Sequence, residues 1–166
     1  MAILEPLWFP LKVFSILGCG LMAGVFFAFS SFVMGALALQ PSAQGMTTMQ
    51  AINITVINPS FMSAFIGTAI ACLGLAIATL LRWHTPGAAY LLAGCLLYLI
   101  GAFGVTIAFN VPLNDALAIA KPTSEAGAAL WSRYLVDWTA WNHVRTAAAL
   151  AATALLSLAL WASPTP

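Results

Sequence analysis

The chain has 166 residues, with five Lys or Arg and four Asp or Glu, whereas a soluble domain of that length carries about 40 charged side chains. Hydrophobic residues make up 63% of it, a fraction that so small a globule cannot hide from water, so an ordinary soluble fold is excluded and the solvent is lipid. A net charge of +1 without any basic run gives no footprint for nucleic acid or for electrostatic attachment to an anionic surface.

Charge spacing marks the spans. No charged residue falls between Lys12 and Arg82, between Arg82 and Asp115, or after Arg145. Four apolar stretches in those gaps, 11–39, 60–82, 87–110 and 143–162, each reach the roughly 20 residues that a helix needs to cross a bilayer core of about 30 Å. Only helices satisfy their own backbone there. Ala36-Leu37-Ala38 has the look of a leader cleavage site, but the apolar run before it is about twice the length of a signal peptide's core, so it stays a span. The reading is one all-α domain over 1–166, an integral membrane four-helix bundle, with the bacterial inner membrane as the expected location. Lys12 and Arg82 on one side nearly balance Lys121, Arg133 and Arg145 on the other, so the charge rule gives no orientation. Oligomeric state is equally open.

Between the first two spans, Met46, Met49, Ile52, Val56 and Ile57 recur at near-helical spacing without a charge, which predicts an interfacial helix in this first long connection. Gln50 and Asn53 share a face of it and face inward or bond locally. Asn53-Ile54-Thr55 matches a glycosylation acceptor, a pattern too short to weigh. Asn58-Pro59 predicts an N-cap followed by proline at the first helical position. Spans two and three form a tight hairpin through His84 and Pro86. The third is expected to break near Val111, because Pro112 disfavours a helical residue before it, leaving Asn110 and Asn114 as helix caps or pocket groups and Asp115 as a carboxylate near them. Thr123 or Ser124 should cap a last helix that runs from Glu125 to Ala162, about 57 Å long and so extended well beyond the bilayer.

The polar residues separate by side. All five asparagines, together with Asp115, Lys121, Glu125, Arg133, Asp137, His143 and Arg145, belong to the side of the two long connections. The side of the termini keeps Glu5, Lys12, Arg82 and His84, with Trp8, Trp83 and Trp161 at the depth of an interfacial aromatic belt. Along the last helix Trp131, Tyr134, Trp138, Asn142 and Arg145 recur at steps of three or four and share one face, with Trp141 beside it and His143 turned about 100° from Asn142. Such a stripe is either packing or a binding wall. Arg145 raises the second reading, since a charge inside a span faces a partner or a polar cavity.

Other chemistries lack their residues. Cys19, Cys72 and Cys95 fall one to each of the first three spans without a C-x-x-C pair and read as small hydrophobes. His84 and His143 lie at opposite ends, which disfavours a bis-histidine haem. No metal-ligand spacing, phosphate loop or nucleophile elbow occurs, and no span carries an ionisable residue at its middle for ion-coupled transport.

Ala23-Gly24-Val25-Phe26-Phe27, Met49-Gln50-Ala51-Ile52-Asn53 with Asn58-Pro59-Ser60-Phe61, Asn110-Val111-Pro112-Leu113-Asn114 and Trp138-Thr139-Ala140-Trp141-Asn142-His143-Val144-Arg145 together resemble the anthrone oxygenase-like membrane family. The likeness follows the chain in order over nearly its whole length. It implies oxidation of an anthrone-type molecule to a quinone by dioxygen with no metal or flavin, so no cofactor is expected; the partners expected are the bilayer and a hydrophobic small molecule. A mechanism in keeping with it has a planar carbon acid come from the membrane and stack on Trp131, Trp138 or Trp141, beside Tyr134, Gln50 and Asn53. His143, or else Asp115 or Asp137, would act as base, and Arg145, Asn142, Asn110 and Asn114 would hold the oxyanion. The alternative is a membrane protein that binds a lipid-like molecule or a membrane partner with the same cluster and performs no reaction.

Overall fold

The structure, a computed structural model, describes residues 5–162, with side chains from Leu7 onward. Among them there are five helices and no strand. Helix α1 runs over Glu5–Ala28, passes through a π-helical turn at Phe29–Val33 and ends with Met34–Ala38; α2 is Ser42–Thr55 and α3 is Pro59–Leu81. Helix α4 comprises Ala88–Leu96, the π-helical stretches Leu97–Gly104 and Thr106–Asn110, and Val111–Ile119, and α5 is the unbroken Glu125–Trp161.

Four of these, over Leu7–Ala38, Pro59–Leu81, Ala88–Ile119 and Glu125–Trp161, are long and apolar enough to cross a membrane. Large apolar side chains such as Leu17, Ile70 and Ile100 stand about two-thirds exposed on the outer faces, an arrangement that only a hydrocarbon solvent tolerates. The chain is an integral membrane protein. The expected helical segment between the first two spans is α2.

Helices α1, α3, α4 and α5 alternate in direction. Inside the bilayer, close approach of backbones replaces the hydrophobic drive between helices. Gly94 lies against Leu156 and Ala152, Gly101 against Ala148, and Gly18 against Thr68, with no room for a side chain at any of the three. Their lower core joins Cys19, Met22, Phe65, Cys72, Leu75, Cys95, Tyr98 and Leu156. The three thiols are buried in that same core as free cysteines. At the closed end Gly87, with φ of 80°, turns the chain back into α4 where a Cβ would strike Ala159.

Lengths explain the other end. At 1.5 Å per residue, α3 spans about 35 Å, close to one bilayer thickness, whereas the spanning helices of α1 and α4 reach about 48 Å. They and the first half of α5 project past the start of α3, and α2 covers the step. A second core of Met34, Leu37, Met46, Met49, Leu117, Trp131, Tyr134 and Trp138 fills this upper layer. Gln50 fastens α2 to it, donating to the carbonyls of Leu117 (2.8 Å), in the last turn of α4, and of Ala120 (3.2 Å), just past its end.

Local signals mostly act as expected. The Asn58 carboxamide accepts from Phe61 N at 3.0 Å with Pro59 at the first helical position, and Ser124, rather than Thr123, caps α5 through Gly127 N at 3.0 Å. The break at Val111 does not occur. Helix α4 continues through Pro112 to Ile119, because the π-helical stretch before it has already opened the regular ladder in which a proline ring clashes and an N–H is missed. Asn110 and Asn114 are consequently helix-interior residues instead of caps.

Candidate functional site

Between the two cores lies a chamber of about 380 Å³ walled by all five helices, a volume within the range of about 300–1,000 Å³ usual for small-molecule pockets. Its walls are apolar: Phe26 and Phe29 of α1, Met49 and Ile52 of α2, Phe61, Met62 and Phe65 of α3, Phe103 of α4 and Trp138 of α5. Five polar side chains interrupt them, Asn53, Thr106, Asn114, Asn142 and Arg145.

Arg145 dominates. It is 5% exposed and its guanidinium carbon sits 4.5 Å from the Phe26 ring centroid and 4.9 Å from that of Trp138, so two π-faces take the place of water around the cation. Its hydrogen bonds go to neutral acceptors, the Thr106 hydroxyl at 3.2 Å and the Asn142 amide oxygen at 2.7 Å. Nε has no partner among the described residues. Asn142 is itself fixed: its amide nitrogen donates to Phe26 O and to Ser30 Oγ, both at 2.7 Å. Ser30 is 3.2 Å from the hydroxyl of Thr146, which returns to Asn142 O at 2.8 Å. This buried network aims Arg145 across the chamber and supplies no counter-charge.

A second polar point lies above it. The Asn114 amide oxygen accepts from Tyr134 Oη at 2.8 Å and from Trp138 Nε1 at 2.9 Å, which fixes the Trp138 indole and leaves the Asn114 nitrogen to the chamber. Among the described residues the Asn53 amide nitrogen has no hydrogen-bond partner, although the side chain lies near the Tyr134 hydroxyl. The chamber's polar equipment is thus almost entirely donors. Trp131, Tyr134 and Trp138 stack in a ladder with centroids 5.6 and 6.0 Å apart.

The expected site residues therefore divide. Asn53, Asn114, Trp138, Asn142 and Arg145 converge on the chamber. Tyr134 touches it through Asn114, while Trp131 is 2% exposed and packed in the upper core. Asn110 is buried with its amide nitrogen on Trp138 O at 3.2 Å, supporting the wall from behind. Gln50 is committed to the end of α4. Trp141 is stacked on Phe109 at 3.7 Å, outside the lining. His143 and Asp115 are exposed and do not line the chamber. Helical geometry dictates this for His143, since with Asn142 and Arg145 directed inward the residue 100° away is directed outward. Asp137 is exposed for the same reason. Among the described residues no three His, Cys, Asp or Glu are placed to hold a metal ion.

Sequence reasoning missed Thr106, Ser30 and Thr146, although a span that buries an Arg and an Asn needs hydroxyl partners at the same depth, and these are such hydroxyls. No curated protein and no solved structure shows significant similarity to the chain. Residues 60–155 match the model for anthrone oxygenase, more than half of the chain, and the matched part contains α3 from its second residue, α4 and the Trp138, Asn142 and Arg145 face of α5. The chain belongs to the anthrone oxygenase family.

Proposed function

We propose that the chamber binds a planar, hydrophobic carbon acid of the anthrone type and promotes its oxidation by dioxygen. The observation that carries this reading is Arg145: a cation buried in an apolar chamber, bonded only to neutral groups, is matched by an anionic oxygen on the ligand. The ring system lies among Phe26, Phe65, Phe103 and Trp138, whose faces suit fused aromatics. Family membership supports the reaction class.

The chemistry balances with dioxygen as the sole oxidant. Loss of one proton from the methylene carbon gives an enolate whose oxygen faces Arg145 and whose carbanion character reduces dioxygen by one electron. Recombination forms the carbon–oxygen bond, the peroxide takes up one proton, and loss of water with the remaining hydrogen of that carbon leaves the quinone carbonyl. Arg145 stabilises charge on the ligand oxygen through ionisation and electron transfer. Asn142 and Thr106 hold the guanidinium in place, and Asn114 and Asn53 donate to a second oxygen of the ligand. Among the described residues no carboxylate or imidazole lines the chamber, so ionisation is driven by the field of Arg145, with water as the proton acceptor at the chamber edge.

The same lack of a base favours a second reading, in which the chamber holds an oxygen-bearing lipophile without turning it over. Purified protein in nanodiscs with 1,8-dihydroxyanthrone under ¹⁸O₂ separates the two. Catalysis predicts oxygen uptake matching quinone formation, with one ¹⁸O in the product at a rate well above that of empty nanodiscs. Saturable binding at the background oxidation rate supports the second reading and rejects the first.

A further inference from the structure

The ligand's route is a separate question from its chemistry. Toward the upper layer the chamber is roofed by packed side chains: Met49, Tyr134 and Leu117 are at most 1% exposed, and Trp131 is 2% exposed. Toward the lower layer it ends on Phe65 and Tyr98, the Tyr98 hydroxyl bonded to Phe65 O at 3.1 Å. One side is open. Helix α3 packs on α4 over Ala88–Gly104, but that contact falls away over Thr106–Asn110, where α4 leans on α5 instead. The chamber residues at this gap are exposed and apolar: Ile57 at 71%, Ile66 at 40%, Ile107 at 54% and Val111 at 38%.

Depth places the lower part of the gap in hydrocarbon. Ile66 stands about 22 Å along α3 from its end at Leu81, and Arg145 about 24 Å along α5 from Trp161; both lie inside a core of about 30 Å measured from those ends. The π-helical stretch that carries Ile107 frees local backbone bonds beside the gap, and such stretches recur at functional sites.

We infer that the opening between α3 and α4, rimmed by Ile57, Ile66, Ile107 and Val111, is a lateral portal through which a ligand dissolved in the bilayer reaches Arg145 without crossing water. This deepens the reading of the chamber, since it requires a ligand that partitions into lipid, but it stands whether or not the chamber performs a reaction. A ligand with its oxygen at Arg145 points its far end through the portal, so an alkyl extension there lies in the acyl region and is tolerated.

The test uses a small lipid-soluble phenyl diazirine, photolysed in nanodiscs containing the protein and read by mass spectrometry. The expected result is labelling of Met49, Met62 and Trp138 inside the chamber as well as of lipid-facing Leu73. Ile107→Trp, or Ile66→Trp on the opposite helix should the first fail to fold, is expected to cut chamber labelling at least fivefold and to leave Leu73 unchanged. Ala108→Trp, equal in bulk but outside the rim, should leave both unchanged. Chamber labelling that survives both rim substitutions overturns the portal, as does a chamber that a water-soluble diazirine labels and the lipid-soluble one does not. Neither outcome depends on oxygen uptake, so the portal and the proposed reaction fail independently.

Discussion

Replacing Arg145 with Met separates a functional cation from a structural one. Met keeps much of the length and apolar volume between Phe26 and Trp138 while removing the charge. An oxyanion about 4 Å from the guanidinium gains about 4 kcal/mol at an effective dielectric constant near 20, and at about 1.4 kcal/mol per decade this is a loss of about 10³ in kcat/KM. Stability should respond differently. The variant loses hydrogen bonds of 3.2 and 2.7 Å and leaves the Asn142 oxygen without a donor, each charged bond being worth about 1.5–3 kcal/mol. It also escapes a desolvation penalty of several kcal/mol for a cation that lacks a counter-charge. The terms oppose one another, and the melting temperature should stay within about 5 °C of the parent. The assay compares turnover of 1,8-dihydroxyanthrone, binding of its quinone product and binding of anthracene, which has no oxygen. The first two should collapse and anthracene binding should persist. Turnover within threefold of the parent, or a large fall in melting temperature with binding per folded molecule intact, would show that Arg145 serves the fold and would refute the reasoning.

Three further substitutions bear on the same picture. His143→Phe should leave turnover within about twofold, because the imidazole faces outward; a loss of 100-fold in steady-state oxygen uptake would restore it as a base. Asn114→Leu should destabilise by about 2–4 kcal/mol in a thermal or denaturant series, since the Tyr134 hydroxyl and Trp138 indole N–H lose their common acceptor. Gly18→Ala puts a methyl onto the Thr68 hydroxyl and should lower stability by about 1–3 kcal/mol, a loss partly recovered in the double variant with Thr68→Ala if α1 and α3 approach as described.

Composition alone specified the solvent, and charge spacing specified the spans, because burying a charge in lipid is so unfavourable that its absence over 20 residues has few other causes. Asn58-Pro59 and the Ser124 cap were legible for a local reason: the geometry of a helix start is set within four residues. The stripe of Trp131, Tyr134, Trp138, Asn142 and Arg145 was legible as a face, and all five are buried. Its division into wall, support and ladder was not legible, since that depends on what α1 and α4 bring opposite. Phe26, Phe65, Phe103 and Met62 carry no mark that distinguishes a chamber wall from a lipid-facing surface; in a soluble protein such walls would stand out against polar exteriors, but here both faces are greasy. The π-helical stretches were invisible as well, because a wider backbone turn has no side-chain signature, and with them went the inward direction of Asn110.

Those stretches also determine how α4 serves two layers at once. Below them Gly94 must meet Leu156, while Thr106 and Asn110 within the second stretch and Asn114 above it must all reach α5. A π-helical turn holds one residue more than an α turn, and the surplus corrects the angular phase between the flanks. Deleting Ile100 from Leu97–Gly104 should therefore shorten one wide turn to a regular one and leave both flanks on their faces. Deleting Ile70 from regular α3 should instead rotate everything beyond it by about 100° and uncouple the lower core. The expected outcome is a monodisperse, helical protein that retains quinone binding after the first deletion, and aggregation or a steep fall in melting temperature after the second. Equal damage from the two would mean that the wide turns do not set the phase, and that the convergence of Asn114 and Arg145 on one chamber has another cause.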